Sequence, residues 1–192
     1  MDNTENKKLF LSTFRKNVQR PGAEKLLAWM ETTDFFTAPA STRFHAAYEG
    51  GLLDHSMNVY NVLISKHFDP ASDDIESFTI VSLLHDLCKA GFYKTELRNR
   101  KNDCGEWEKV PVYTVDDQFP YGHGEKSVYL IERFMRLRTE EAMAIRWHMG
   151  GFDESVKGGS FALAHAFEKY PLAVKLHLSD LEATYLHENR SE

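Results

Sequence analysis

The segment Leu83-Leu84-His85-Asp86-Leu87-Cys88-Lys89 sets an imidazole beside a carboxylate in an otherwise apolar run. Burying two such groups is costly unless something compensates for their lost hydration. A bound cation does so, and both side chains are metal-ligand types. Four other segments put a donor near an apolar helix face or a helix end: His55, His123, His148 and Asp180. Each alone has an ordinary structural explanation. An inward-facing histidine is commonly a hydrogen-bonded core residue, and His123, between two glycines, could serve a turn. His148 could suit a helix C-terminus through the macrodipole, and Asp180 could be a salt-bridged helix residue. Five such placements in one small chain argue for a shared centre. Mixed imidazole and carboxylate donors suit divalent Mn, Fe, Co or Ni, whereas pure oxygen cages suit Mg and Ca.

The elements that must position these groups can be read from periodicity and punctuation. Residues 7–19 have loose helical spacing up to Pro21-Gly22, and Ala23 to Met30 gives a second helix. The turn 43–51 feeds a long helix from Leu52 to about His67, with Leu52, His55, Val59, Val62 and Leu63 on one face. The next helix opens on a capping-box-like Asp73 and Glu76 and is expected to run to Gly91. His85 and Asp86 then lie in its last two turns. Neighbours on a helix diverge by about 100°, so one ion would see both only from the edge of the face. Lys89 shares their side, four residues after His85 and three after Asp86.

From 92 to 115 the pattern alternates around the polar stretch 102–106, which predicts a β-hairpin with Pro111 on an edge strand. Its Lys94, Arg98, Arg100 and Lys101 could overhang a pocket or form a solvated face. A helix from about Glu125 to Leu137 follows the turn at 119–124. Thr139 is expected to cap a helix reaching His148, residues 153–159 to form a loop, and Phe161 to Tyr170 another helix. Pro171 suits the first helical position of a last helix, Leu172 to His187. The expected fold class is all-α, a helical bundle with one inserted hairpin at about 92–115.

Acidic residues outnumber basic ones, 29 to 23, for a formal charge of −6. That balance speaks against strong duplex nucleic-acid binding, where lysine and arginine contacts to phosphate supply most of the affinity. No apolar run approaches the ~20 residues needed to span a bilayer. Cys88 and Cys104 imply no disulfide framework and stand in no recognisable Cys–His arrangement, so a cytoplasmic location is expected.

The order His55, His85-Asp86, Asp180 on successive helices resembles the HD superfamily of metal-dependent phosphohydrolases. The context carries the resemblance, which runs from about Arg43 to Ala183: Glu-Gly-Gly-Leu-Leu-Asp-His-Ser upstream, Leu-Leu-His-Asp-Leu-Cys-Lys, and Leu-His-Leu-Ser-Asp-Leu-Glu-Ala downstream. The segments 122–127 and 146–150 are similar to the extra histidine segments of members with two metals, the HD domain of YhaM-type 3′-5′ exoribonucleases among them. The residues before the core leave no room for that group's N-terminal OB domain. The resemblance implies a single HD domain over 1–192, with a core at about 43–183 and N-terminal helices in 1–42. It implies that His55, His85, Asp86 and Asp180 surround one divalent ion, with Asp86 bridging to a second held by His123 and His148. The ions would be Mn, Fe, Co, Ni or Mg. Metal-activated water would then cleave a phosphoester of a small nucleotide or short single-stranded oligonucleotide. Lys89 and Lys126 are candidates to neutralise the phosphate, and His45 to touch the substrate or protonate a leaving group. The alternatives are a di-iron oxygenase on the same scaffold, or a nucleotide-binding regulatory module without turnover.

Overall fold

The computed structural model describes residues 3–188. It is mainly helical with one antiparallel two-stranded hairpin. Helix α1 spans Asn3–Asn17, α2 Ala23–Met30, α3 Gly51–His67 and α4 Ile75–Leu84. Strands β1 (Tyr93–Lys101) and β2 (Trp107–Val115) follow, then α5 (His123–Glu132), α6 (Thr139–Trp147), a short α7 (Glu154–Lys157), α8 (Ala162–Lys169) and α9 (Pro171–Glu182). Among the described residues no helix is long and apolar enough to cross a membrane.

Helices α3, α4, α6 and α9 close a ring, each packed on the next, with α5 against α6 and α1 against α3 and α4. The core between them is built from Leu52, Val59 and Leu63 of α3, Ile80, Val81 and Leu84 of α4, Ile145 of α6 and Leu176 of α9. Helix α4 is buried along nearly its whole circumference, as an all-round apolar helix must be. Two of its hydroxyls are satisfied within the helix: Thr79 donates to the Ile75 carbonyl at 2.7 Å and Ser82 to that of Phe78 at 2.7 Å. The hairpin pairs Tyr93 with Val115 and Lys101 with Trp107, within the predicted 92–115.

Several predicted boundaries move. Helix α4 stops at Leu84, not Gly91: His85 is its C-cap, and Asp86 leaves helical geometry at φ −100, ψ 20 before a 3₁₀ turn, Leu87–Lys89. Its N-cap is Asp74, which accepts from the Glu76 amide, while Asp73 accepts from the Asp69 amide and Lys175. Helix α5 ends at Glu132, and in the turn that follows Phe134 stacks on Trp29, ring centroids 5.3 Å apart. Arg138, not Thr139, caps α6. The expected 153–159 loop holds α7, started by Asp153 accepting from the Ser155 amide. Pro171 does open α9, which ends at Glu182 and passes into a π-turn, Ala183–His187.

Candidate metal centre

Five elements deliver side chains to one point inside the ring. His55 comes from the inward face of α3, His85 and Asp86 from the end of α4, His123 from the first position of α5, His148 from the end of α6, and Asp180 from α9. The early end of α4 solves the divergence problem posed by an ideal helix. Once Asp86 leaves helical dihedrals, its carboxylate turns to the same side as the His85 ring, with His85 Nε2 3.5 Å from Asp86 Oδ2. Successive side chains three apart eclipse in a 3₁₀ turn, which brings Lys89 Nζ to donate to that oxygen at 2.6 Å. Gly124 lets α5 approach α6: a Cβ there would lie 2.3 Å from the Arg146 carbonyl oxygen. The His123 and His148 ring centroids are consequently 5.1 Å apart.

The two oxygens of Asp86 face different partners. Oδ2 lies toward His55 Nε2 and His85 Nε2, each at 3.5 Å, and toward Lys89. Oδ1 meets His123 Nε2 at 2.7 Å and His148 Nε2 at 3.5 Å. Asp180 Oδ1 is 3.2 Å from His55 Nε2, which itself is 3.2 Å from His85 Nε2.

Backbone contacts assign the ring protons. His85 Nδ1 donates to the Ser82 carbonyl at 2.8 Å and His148 Nδ1 to that of Ile145 at 2.6 Å. An imidazole whose single N–H is on Nδ1 has a lone pair on Nε2. His148 Nε2 lies 3.5 Å from Asp86 Oδ1, whereas His85 Nε2 is 3.5 Å from Asp86 Oδ2 and 3.2 Å from His55 Nε2, which can donate to it. Negative facing negative in a dry site is unfavourable unless a cation lies between. His148 Nε2 is buried with no hydrogen-bond partner among the described residues. This donor set fits a bound cation: groups of three donors from His55, His85 and Asp180, from His85, Asp86 and His148, and from Asp86, Cys88 and His123 each lie within 4.8 Å of one another. No protein-family model, curated protein or solved structure matches the chain.

Without a cation the centre balances its charge with protons. Burial pushes His55 down, but hydrogen bonds to Asp180 and Glu188 outweigh it and hold the ring up at about 10. His123 is likewise raised to about 10, burial being overcome by the Cys88 sulfur and the Asp86 carboxylate. Burial lowers His85 to about 4. Against burial, Lys89 and the surrounding imidazoles hold Asp86 well below the usual carboxylate range, and His55 does the same for Asp180. Asp86, Asp180 and Glu188 are thus offset by Lys89 and two imidazolium rings. A bound cation would take over the role of such protons.

The centre opens into a cavity of about 700 Å³ rimmed by Phe44, His45, Phe92, Tyr93, Phe152 and Tyr185. His45, its ring 5.1 Å from His55, is lowered to about 4 by burial and by the neighbouring charges of His55 and Lys89. That lowering favours the neutral ring, which can make a hydrogen bond to a substrate at the rim. The hairpin contributes Phe92, Tyr93 and Val115 at its base, whereas Lys94, Arg98, Arg100 and Lys101 are exposed and away from this lining. Lys126 is buried, donates to Asp117 at 2.6 Å and borders a neighbouring cavity of about 590 Å³ beyond His123.

Two groups at the centre escaped sequence reasoning. Glu188 accepts from His55 Nδ1 at 2.9 Å and from the Asn58 amide at 3.2 Å, orienting the ring in the manner of a carboxylate–histidine–metal triad. It lies 133 positions from His55, past the last helix, where nothing local marks it. Cys88 Sγ is 3.5 Å from His123 Nδ1, a Cys–His contact the sequence reading did not recognise. Its position two residues after Asp86 was the available signal. His177, from α9, donates through Nδ1 to the His148 carbonyl at 2.6 Å and steadies that segment.

Proposed function

We propose that the chain is a metal-dependent phosphohydrolase of the HD type, holding two divalent ions and acting on a small nucleotide or the end of a short single strand. The observation that carries the reading is the division of Asp86. One oxygen faces His55, His85 and Lys89, the other His123 and His148. A carboxylate shared between two donor sets is what a bridging ligand needs. His55, His85 and Asp180 would hold one ion with Asp86, and His123 and His148 the other. A bound pair of such ions supplies a water of lowered pKa and charge neutralisation at phosphorus.

The chain's own groups account for binding and orientation. Lys89 is a buried ammonium on the cavity wall, held raised by Asp86 against burial, and can meet a phosphate oxygen. Neutral His45 offers a hydrogen bond at the rim. Glu188 fixes the His55 ring. The aromatic side chains Phe44, Phe92, Tyr93 and Phe152 offer faces for a base, and stacking contributes ~1–3 kcal/mol per base. A cavity of about 700 Å³ fits a ligand of nucleotide size. Lys126, paired with Asp117, lines the adjoining cavity and keeps further N–H groups for a phosphate oxygen.

The deciding experiment is a metal-supplemented activity screen over nucleotides, cyclic nucleotides and short oligonucleotides, with metal content measured on the same sample. The expected result is hydrolysis of a phosphoester with two equivalents of metal. Two irons with oxygen-dependent turnover and no hydrolysis would transfer the centre to oxidative chemistry. Tight nucleotide binding without turnover under every metal would make the chain a regulatory module.

A further inference from the structure

We propose that the Cys88 sulfur is a ligand of the ion held by Asp86 and His123, so that this position is a mixed sulfur, nitrogen and oxygen site. The inference rests on the two-ion reading above and adds a donor to it. Cys88 lies on the 3₁₀ turn just past Asp86, buried, its backbone N–H donating to Ser127 Oγ of α5 at 2.9 Å. That bond pins the turn to the helix that carries His123. Cys88 Sγ lies 3.7 Å from His123 Nε2, which is 2.7 Å from Asp86 Oδ1.

Metal–sulfur and metal–nitrogen bonds of about 2.3 and 2.0–2.1 Å put a sulfur and a nitrogen that share a tetrahedral ion roughly 3.5 Å apart. The observed separation is close to that. An independent observation points to a ligand at the same carboxylate oxygen. His148 Nε2, on a fully buried ring and unpartnered among the described residues, faces Asp86 Oδ1 at 3.5 Å. The competing account is that Cys88 packs as a small hydrophobe, as buried cysteines commonly do. That role would not need its sulfur beside an imidazole on the wall of a cavity of about 590 Å³ that also reaches Lys126 and Arg146.

On binding, the thiol and the His123 imidazolium each release a proton to solvent, and the sulfur and the freed ring nitrogen replace two waters on the ion. A thiolate is a soft donor, so this position would prefer Zn²⁺, Co²⁺ or Fe²⁺ to Mg²⁺ or Mn²⁺.

Cobalt loading of the full chain tests the inference, with absorption spectra and elemental analysis on the wild type, Cys88→Ser, Cys88→Ala and Cys104→Ser. The expected result is two cobalt ions per chain with a thiolate-to-cobalt charge-transfer band in the near ultraviolet. The band should vanish in both Cys88 variants and persist in Cys104→Ser. One of the two cobalt ions should bind more weakly in the Cys88 variants by at least the ~10-fold that loss of a supporting group costs. Two bound cobalt ions without the band in the wild type, or a band that survives Cys88→Ser, would overturn the cysteine ligand and leave the two-ion reading standing. Wild-type protein that binds no cobalt would overturn both.

Discussion

The two ends of α4 carry buried polar clusters of opposite character. Near its N-terminus, fully buried Glu141 accepts from both terminal nitrogens of Arg20 at 2.7 and 2.9 Å, from Ser77 Oγ at 2.6 Å and from the Arg138 amide at 2.7 Å. Arg20 also donates to Glu76 at 3.0 Å, and Glu141 and Glu76 keep it raised despite burial. This cluster is complete in protein atoms alone. At the other end, His148 Nε2 has no hydrogen-bond partner among the described residues and lies 3.5 Å from Asp86 Oδ1, and acidic neighbours raise buried His55 and His123. That cluster has the donors to hold a metal ion. Burial of polar groups therefore does not separate a binding site from a structural network; unsatisfied groups converging on a point do.

The largest expected effect at the centre comes from Asp86→Ala, which withdraws the carboxylate common to both donor sets. Metal content and phosphoester turnover should fall to background, and activity retained in this variant would sink the two-ion reading. Glu141→Ala should act at the opposite end alone. Removing one partner of a buried ion pair costs about 3–5 kcal/mol, so chemical denaturation should show a loss of that order with metal per folded chain unchanged. A fall in metal stoichiometry there would mean that the two ends are coupled. Glu188→Gln keeps the shape of the His55 support and removes its charge. Metal affinity should drop roughly 10–100-fold, read by chelator competition; an unchanged affinity would make Glu188 incidental.

The smallest effect is in pH dependence. His55 and His123 are raised from an unfolded value near 6.5 to about 10 in the metal-free protein. Between those limits the folded state holds more protons, so their contribution is full below about pH 6.5 and is lost as pH rises through 10. Denaturation of the metal-free protein should follow that slope, and metal-loaded protein should not. Metal uptake near pH 7 should release protons, detected by calorimetry in buffers of different ionisation enthalpy, and affinity should rise with pH. Uptake without proton release would refute the charge-balancing role of the two rings.

Much of the scaffold was legible because it is local. The α2 boundaries, the inward face of α3 with His55 on it, the hairpin and Pro171 at the start of α9 all follow from periodicity and turn chemistry. The donor set His55, His85, Asp86, His123, His148 and Asp180 was legible as residue types in apolar settings, and the fold brings all six together. The end of α4 was not, since Leu87 and Cys88 continue the apolar pattern and no breaker precedes Gly91. Tertiary contact of the following turn with α5, through Ser127, accompanies the break at Asp86. Lys126, a phosphate-neutralising candidate by sequence, is enclosed by Asp117 and the rings of Phe92 and Phe119.

The sequence by itself determined which donors exist, that they sit among apolar neighbours and that successive helices carry them. Only the tertiary structure decided which atom of each donor faces which. The tilt of a ring and the direction of its lone pair depend on where its other nitrogen finds a partner, the Ser82 carbonyl for His85, that of Ile145 for His148 and Glu188 for His55. Those partners acquire their meaning from the relative placement of whole helices, which no local spacing specifies.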